Sequence, residues 1–160
     1  MANGIASAQR NILHPVLLAW LVAGTMDITG AIVTSAWHGV PAVRILQSVA
    51  SGLLGKDAYA GGASTASLGL ALHFVMMLAF SFTYMLAYGR YSLVRANALF
   101  SGTLYGIAVY ALMNAVVLPL SAFPHHLKYD AAFMATGIAT HILCVGLPIA
   151  LIARNYLRAT

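Results

Sequence analysis

The sequence predicts an all-α fold: a polytopic membrane four-helix bundle made of two parallel helical-hairpin repeats, with a short interfacial or re-entrant helix after the first span. Composition, hydropathy and self-similarity carry that prediction. Of the 160 residues, 61% are hydrophobic and 7% charged, against about a quarter charged in an ordinary soluble domain. With mean hydropathy at +0.87, too few polar residues remain to cover a surface in water, so lipid must solvate most of the chain. The length fits a single transmembrane domain over residues 1–160.

The first apolar run, Pro15 to about His38, exceeds both the roughly 20 residues that cross a bilayer and the h-region of a signal peptide. It reads as a span, not a cleaved leader. The stretch Gly39–Ala63 that follows is not apolar enough to cross. Over about 41–55, however, Ala42, Ile45, Leu46, Val49 and Leu53 recur at helical spacing while Arg44, Gln47, Ser48 and Ser51 take the other face. This amphipathic helix is read as starting at Pro41, a favoured first-turn residue, and its pattern suits a helix lying on the membrane or one dipping into it. Turn chemistry over Tyr59–Thr65 then leads to a Ser64 or Thr65 cap for the second span. Further spans occupy about Ser64–Tyr88, Ala98–Leu120 and Ala131–Ala153.

Four spans put both termini on one side, together with Arg10, Arg90, Arg95, Arg154 and Arg158 and no acid. Arg44, Lys56 and Lys128 fall on the other side with Asp57 and Asp130. The positive-inside rule therefore places both termini in the cytoplasm. The net charge of +5 comes from cations spread singly along the chain, so it reports orientation and not a nucleic-acid partner. A single cysteine, Cys144, excludes an internal disulfide framework.

The halves of the chain repeat. Displaced by 78 positions, Leu21, Gly24, Thr25 and Pro41 fall on Leu99, Gly102, Thr103 and Pro119. Displaced by 68, Gly69, Ala71, His73, Tyr88 and Arg90 fall on Gly137, Ala139, His141, Tyr156 and Arg158. Two spans per copy imply a pseudo-twofold axis along the membrane normal. His73 and His141 then lie roughly 13–14 Å, and Asp27 roughly 16–17 Å, below the external end of their spans, in one layer near the bilayer centre. Helical stripes bring small and polar residues together: Gly24, Asp27, Ala31, Thr34 and His38; Gly69, His73, Met77, Ser81 and Tyr84; Gly102, Gly106, Tyr110 and Asn114; Gly137, His141, Cys144 and Pro148.

An ionised aspartate at a helix centre costs about 3 kcal/mol on insertion scales, so Asp27 needs a partner or a proton, and His73 or His141 is the expected partner. Because histidine changes charge near neutral pH, the trio reads as a protonation switch. The simpler alternative is a polar contact that fixes helix rotation, worth about 0.6 kcal/mol on average. Two histidines at equal depth, each one turn after a glycine, also match a bis-histidine b-type haem site with His73 and His141 as ligands. A zinc site would need Asp27, His73, His141 and Cys144 to converge. His125 and His126 read as a solvated external turn, and Met76 and Met77 as packing. Trp20, Trp37, Tyr88, Tyr91, Tyr129 and Tyr156 fall mostly near span ends, as aromatic belts do.

At these residues the chain resembles the YagU-like group of small bacterial inner-membrane proteins, through four spans, an irregular connection after the first, and the Gly69/His73 and Gly137/His141 pattern. That resemblance implies a multi-pass protein of the bacterial inner membrane and transfers no chemistry. Asp27 has no acidic counterpart in the second half, where Tyr105 stands. No nucleophile elbow, Walker loop, dinucleotide fingerprint or HExxH helix is present, so nothing supports an enzyme assignment. The expectation is a non-catalytic ligand-binding or accessory membrane protein, without cofactor, whose polar core comprises Asp27, His73, His141, Tyr110 and Asn114. Its partners are the lipid bilayer and a homo-oligomer or larger membrane complex. The alternatives are a proton-coupled transporter or permeation unit working as an oligomer, and a haem b redox carrier.

Overall fold

The computed structural model describes residues 12–124 and 131–157, and every regular element among them is helical. Helix α1 (Leu13–Ala36) is followed by α2 (Ala42–Leu54), a tight turn of 3₁₀ helix at Gly55–Tyr59, α3 (Gly62–Arg90), the short α4 (Ser92–Ala96), α5 (Ala98–Leu120) and α6 (Ala131–Leu157). Helices α1, α3, α5 and α6 are long and apolar enough to cross a membrane. The chain is a multi-pass membrane protein with four candidate spans, close to the boundaries that the apolar runs predict. Arg10, Arg158 and the loop residues His125, His126, Lys128, Tyr129 and Asp130 lie outside the described residues.

Two boundaries differ from expectation. Helix α2 begins at Ala42, with Pro41 extended at the cap (ψ 148°). Helix α3 begins at Gly62, where φ is +57°, and no side chain caps it. Thr65, an expected cap, instead donates its hydroxyl to the Ala58 carbonyl at 2.6 Å and ties the preceding turn to α3. A glycine that takes positive φ without strain starts the helix earlier than a capping hydroxyl would.

Helices α5 and α6 each contain a widened π turn, at Met113–Val117 and His141–Gly146. The Leu118 amide donates to the Met113 carbonyl and the Leu147 amide to that of Ile142, five residues back. Pro119 and Pro148 follow closely. A proline ring clashes with the carbonyl four residues earlier, here Ala115 and Cys144, and a wider turn relieves that clash. The extra residue also turns the helix face. The buried residues of α6 are Val145, Gly146, Ile149, Ala150 and Ala153, and the expected stripe through Cys144 and Pro148 is only half-buried. The stripe on α3 is buried at each of its residues from Gly69 to Tyr84.

Helix α1 packs along α3 and α6, and α6 packs along α5. The His14 and Tyr156 rings meet at 5.2 Å, so the described ends of α1 and α6 share one end of the bundle. We call that end proximal and the end carrying α2 distal. The backbones of α3 and α5 stand farther apart. Tyrosines bridge them: Tyr105 donates to the Phe80 carbonyl at 2.8 Å, and the Tyr84 and Ser101 hydroxyls bond at 2.8 Å.

Glycines set the closest approaches. At Gly106 a Cβ would stand 2.7 Å from the His141 carbonyl oxygen, and at Gly146 it would collide with the Gly102 carbonyl. At Gly69 it would collide with the Leu46 carbonyl of α2. The contacts do not follow the register of the repeat. Gly24 faces Phe74, but its match Gly102 faces Gly146 and Ala150, one turn beyond Ile142, the match of Phe74; Gly106 is the residue opposite His141 and Ile142. Likewise α1 and α6 pack closely where their counterparts α5 and α3 do not.

Candidate functional site

The polar residues singled out in the sequence divide among three helix seams. In the α1–α3 seam His73 is buried, 5% exposed, and its Nε2–H donates to the Gly24 carbonyl at 2.9 Å. A carbonyl only accepts, so the proton of this bond sits on Nε2. Trp20 reinforces the seam by donating its Nε1–H to the Phe74 carbonyl at 2.7 Å, with the Trp20 and Phe74 rings edge-on at 5.8 Å. Gly24 makes room for that packing, since a Cβ there would stand 2.7 Å from Phe74 Cε1. Trp20, half-buried, therefore ties α1 to α3 through its ring N–H.

In the α5–α6 seam His141 opens the π turn, and its Nδ1–H donates to the Gly137 carbonyl of its own helix at 2.9 Å. Its ring stands edge-on to Tyr110 at 5.4 Å. Gly137 admits the Tyr110 ring, because a Cβ there would lie 2.5 Å from Cε2. Asn114 donates Nδ2–H to the Tyr110 carbonyl at 2.9 Å, just where the widened turn begins. The Tyr110 carbonyl also accepts from the Met113 amide, so the Asn114 side chain adds a second bond there. Tyr110, Asn114, Gly137 and His141 thus form one cluster.

Asp27 belongs to the third seam, between α1 and α6. One turn along, Gly30 presents its Cβ position 3.5 Å from Cys144 Sγ and 3.2 Å from Thr140 Cγ2. Among the described residues Asp27, half-buried, has no hydrogen-bond or ion-pair partner. The expected pairing with His73 or His141 is not formed. Each histidine instead uses a ring N–H on a backbone carbonyl that is nearer along its own seam.

Among the described residues no three His, Cys, Asp or Glu side chains come together as a metal site would need, so the four-residue zinc set is not assembled. Room for a haem beside the two histidines is likewise filled by the chain itself. The space at Gly69 holds the α2 backbone, that at Gly137 holds the Tyr110 ring, and His73 Nε2 is already bonded. As arranged, these residues do not fit a bis-histidine macrocycle.

A second hydroxyl-bearing group had only a partial signal in the sequence. Ser81 and Tyr84 lie on the α3 stripe, but Tyr88, assigned to a belt, is fully buried, and Tyr105 turns its hydroxyl onto α3. The Ser81 and Tyr88 hydroxyls are buried without a partner among the described residues. No protein-family model, curated protein or solved structure matches this chain.

Proposed function

We propose that the chain is a small, non-catalytic integral protein of the bacterial inner membrane, with both termini cytoplasmic, that binds a small ligand or serves as an accessory subunit through its intramembrane polar layer. One observation carries the reading: Asp27, the sole acid within the four spans, has no partner among the described residues. A carboxylate in hydrocarbon without a cation or donor costs about 3 kcal/mol when ionised. It holds its proton or meets a positive or hydrogen-bond-donating group from outside the chain. His73, His141, Tyr110 and Asn114 are engaged with the backbone or with each other, so none of them supplies Asp27 with a partner. The likeness to the YagU-like group and the arginines near α3, α4 and α6 support the bacterial placement and the orientation.

Native mass spectrometry of protein released from nanodiscs tests the reading. An adduct carried by the native chain and lost in Asp27→Asn is expected, and identical spectra for the two proteins would overturn it. The same unpartnered acid favours proton-coupled permeation by an oligomer as the second reading. Asp27-dependent acidification of dye-loaded proteoliposomes would select it. A purified protein with no Soret band is expected under both readings, because the two histidine surroundings are occupied.

A further inference from the structure

We propose that the outer face of α2 is seated among the acyl chains of the distal leaflet, so that α2 is a lipid-facing cross-bar whose polar side is turned to the protein and not to water. The proposal rests on the membrane placement of the four spans and is independent of Asp27.

A helix lying on a membrane surface ordinarily turns its polar side to water and buries its apolar side. In α2 the polar side is the covered one. Gln47 and Ser51 are 3% and 0% exposed. Gln47 Nε2–H donates to the Gly62 carbonyl at 3.1 Å and to Thr65 Oγ1 at 3.4 Å, while the Ser51 hydroxyl donates to the Ser48 carbonyl at 2.7 Å. Along the apolar stripe Ala42 and Leu53 are exposed, Leu53 at 61%, and Ile45, Leu46 and Val49 between them are half-buried, while Val43, Arg44 and Leu54 are open on the terminal turns. In water this arrangement would expose apolar side chains while withholding polar ones. In hydrocarbon it is the favourable orientation.

Depth agrees. Helix α3 has 29 residues, about 43 Å at 1.5 Å per residue, against a hydrocarbon core of about 30 Å. Centring it leaves about 6–7 Å of surplus at each end, and Gly69, where α2 crosses, lies about 10 Å in from the distal end. The crossing therefore falls inside the hydrocarbon boundary. Below it α3 continues with the exposed apolar residues Leu70 and Val75, so the outer face of α2 extends a surface already facing lipid.

The charges sit at the ends of the cross-bar. Arg44, near the start, donates to the Tyr59 carbonyl at 3.2 Å and lies 5.5 Å from the centre of the Tyr59 ring. Lys56 and Asp57 are exposed beyond the end. Long cationic side chains at such positions reach the headgroup level while the segment between them stays in lipid.

Spin labelling of the full chain in proteoliposomes tests this. In a Cys144→Ser background, nitroxides are placed through Leu53→Cys, Ala42→Cys and, as the water-facing reference, Lys56→Cys; all three sites are exposed. Collision with oxygen relative to a water-soluble nickel chelate should be several-fold higher at 42 and 53 than at 56. Nickel-dominated collisions at 42 and 53 would show that the face is in water. Spin–spin broadening or disulfide dimers at 53 would show a second copy seated there. Either result overturns the proposal.

Discussion

The proximal and distal halves of this bundle solve the problem of packing in lipid differently. The proximal half holds the continuous core: Val16, Ala19 and Ala23 of α1 meet Met77, Tyr84, Met85 and Tyr88 of α3 and Val145, Ile149, Ala150 and Ala153 of α6. Small side chains and glycines let backbones touch there, and dispersion contacts between closely packed atoms supply the association that the hydrophobic effect does not provide in lipid. The distal half is uneven: α2 packs tightly on α3, with Ala50, Ser51 and Ala58 fully buried, while the distal parts of α1, α5 and α6 bury little. Beyond Ile28, α1 buries no side chain. Neither Met113–Leu120 nor Ala131–Thr140 buries any. The difference teaches that α1, α5 and α6 bury their residues mainly toward the proximal end, and that Asp27 and Asn114, both half-buried, lie near where that burial runs out.

The comparison breaks most severely at the glycines. Gly146→Val should drive a side chain into the Gly102 carbonyl and cost about 3 kcal/mol or more, read as loss of folded monomer in reversible SDS unfolding. Gly69→Val should instead detach α2 and leave Trp20 fluorescence as it is. Next, Ile149→Ala, in the proximal core, should cost about 2–4 kcal/mol, whereas Met134→Ala in the distal part of α6 should cost under about 1 kcal/mol. Equal losses at these two positions would erase the distinction between the halves. His73→Leu should lose about 0.6–1.7 kcal/mol, the range for interhelical hydrogen bonds in membranes. The smallest effect carries the opposite sign: Tyr88→Phe and Ser81→Ala remove hydroxyls without partners and should be neutral or stabilising by up to about 1 kcal/mol.

The four spans and α2 were legible because an apolar run and a helical stripe are local properties, and the stripe on α3 from Gly69 to Tyr84 was read correctly for the same reason. The stripe on α6 failed at the π turn, since a widened turn set by Pro148 rotates every residue after it, and stripe arithmetic assumes a uniform helix. The meeting of Asp27 with a histidine failed for a different reason. Equal depth does not make side chains neighbours: His73 faces α1 from the α3 side, whereas Asp27 lies on the seam with α6. The sequence also could not reveal that the polar face of α2 is covered, because amphipathic spacing says which residues share a face and not what that face meets.

The π turns of α5 and α6 bear on how the molecule meets membranes of different thickness. In α6 the π turn falls near mid-span, and in α5 it lies one turn from the distal end; Ala131–Thr140 and Leu118–Leu120 beyond them bury no residue. A tilt of those segments would pivot at the edge of the proximal core, although the end of α5 is tied to α2 by the Ala122 amide on the Gly52 carbonyl at 2.9 Å. Hydrophobic mismatch carries a modest penalty for each ångström and is relieved by tilting or kinking. Here both widened turns lie at or beyond the distal edge of the continuous core, so a change in bilayer thickness is expected to be taken up on the distal side, as by a post with a rigid foot and a jointed top.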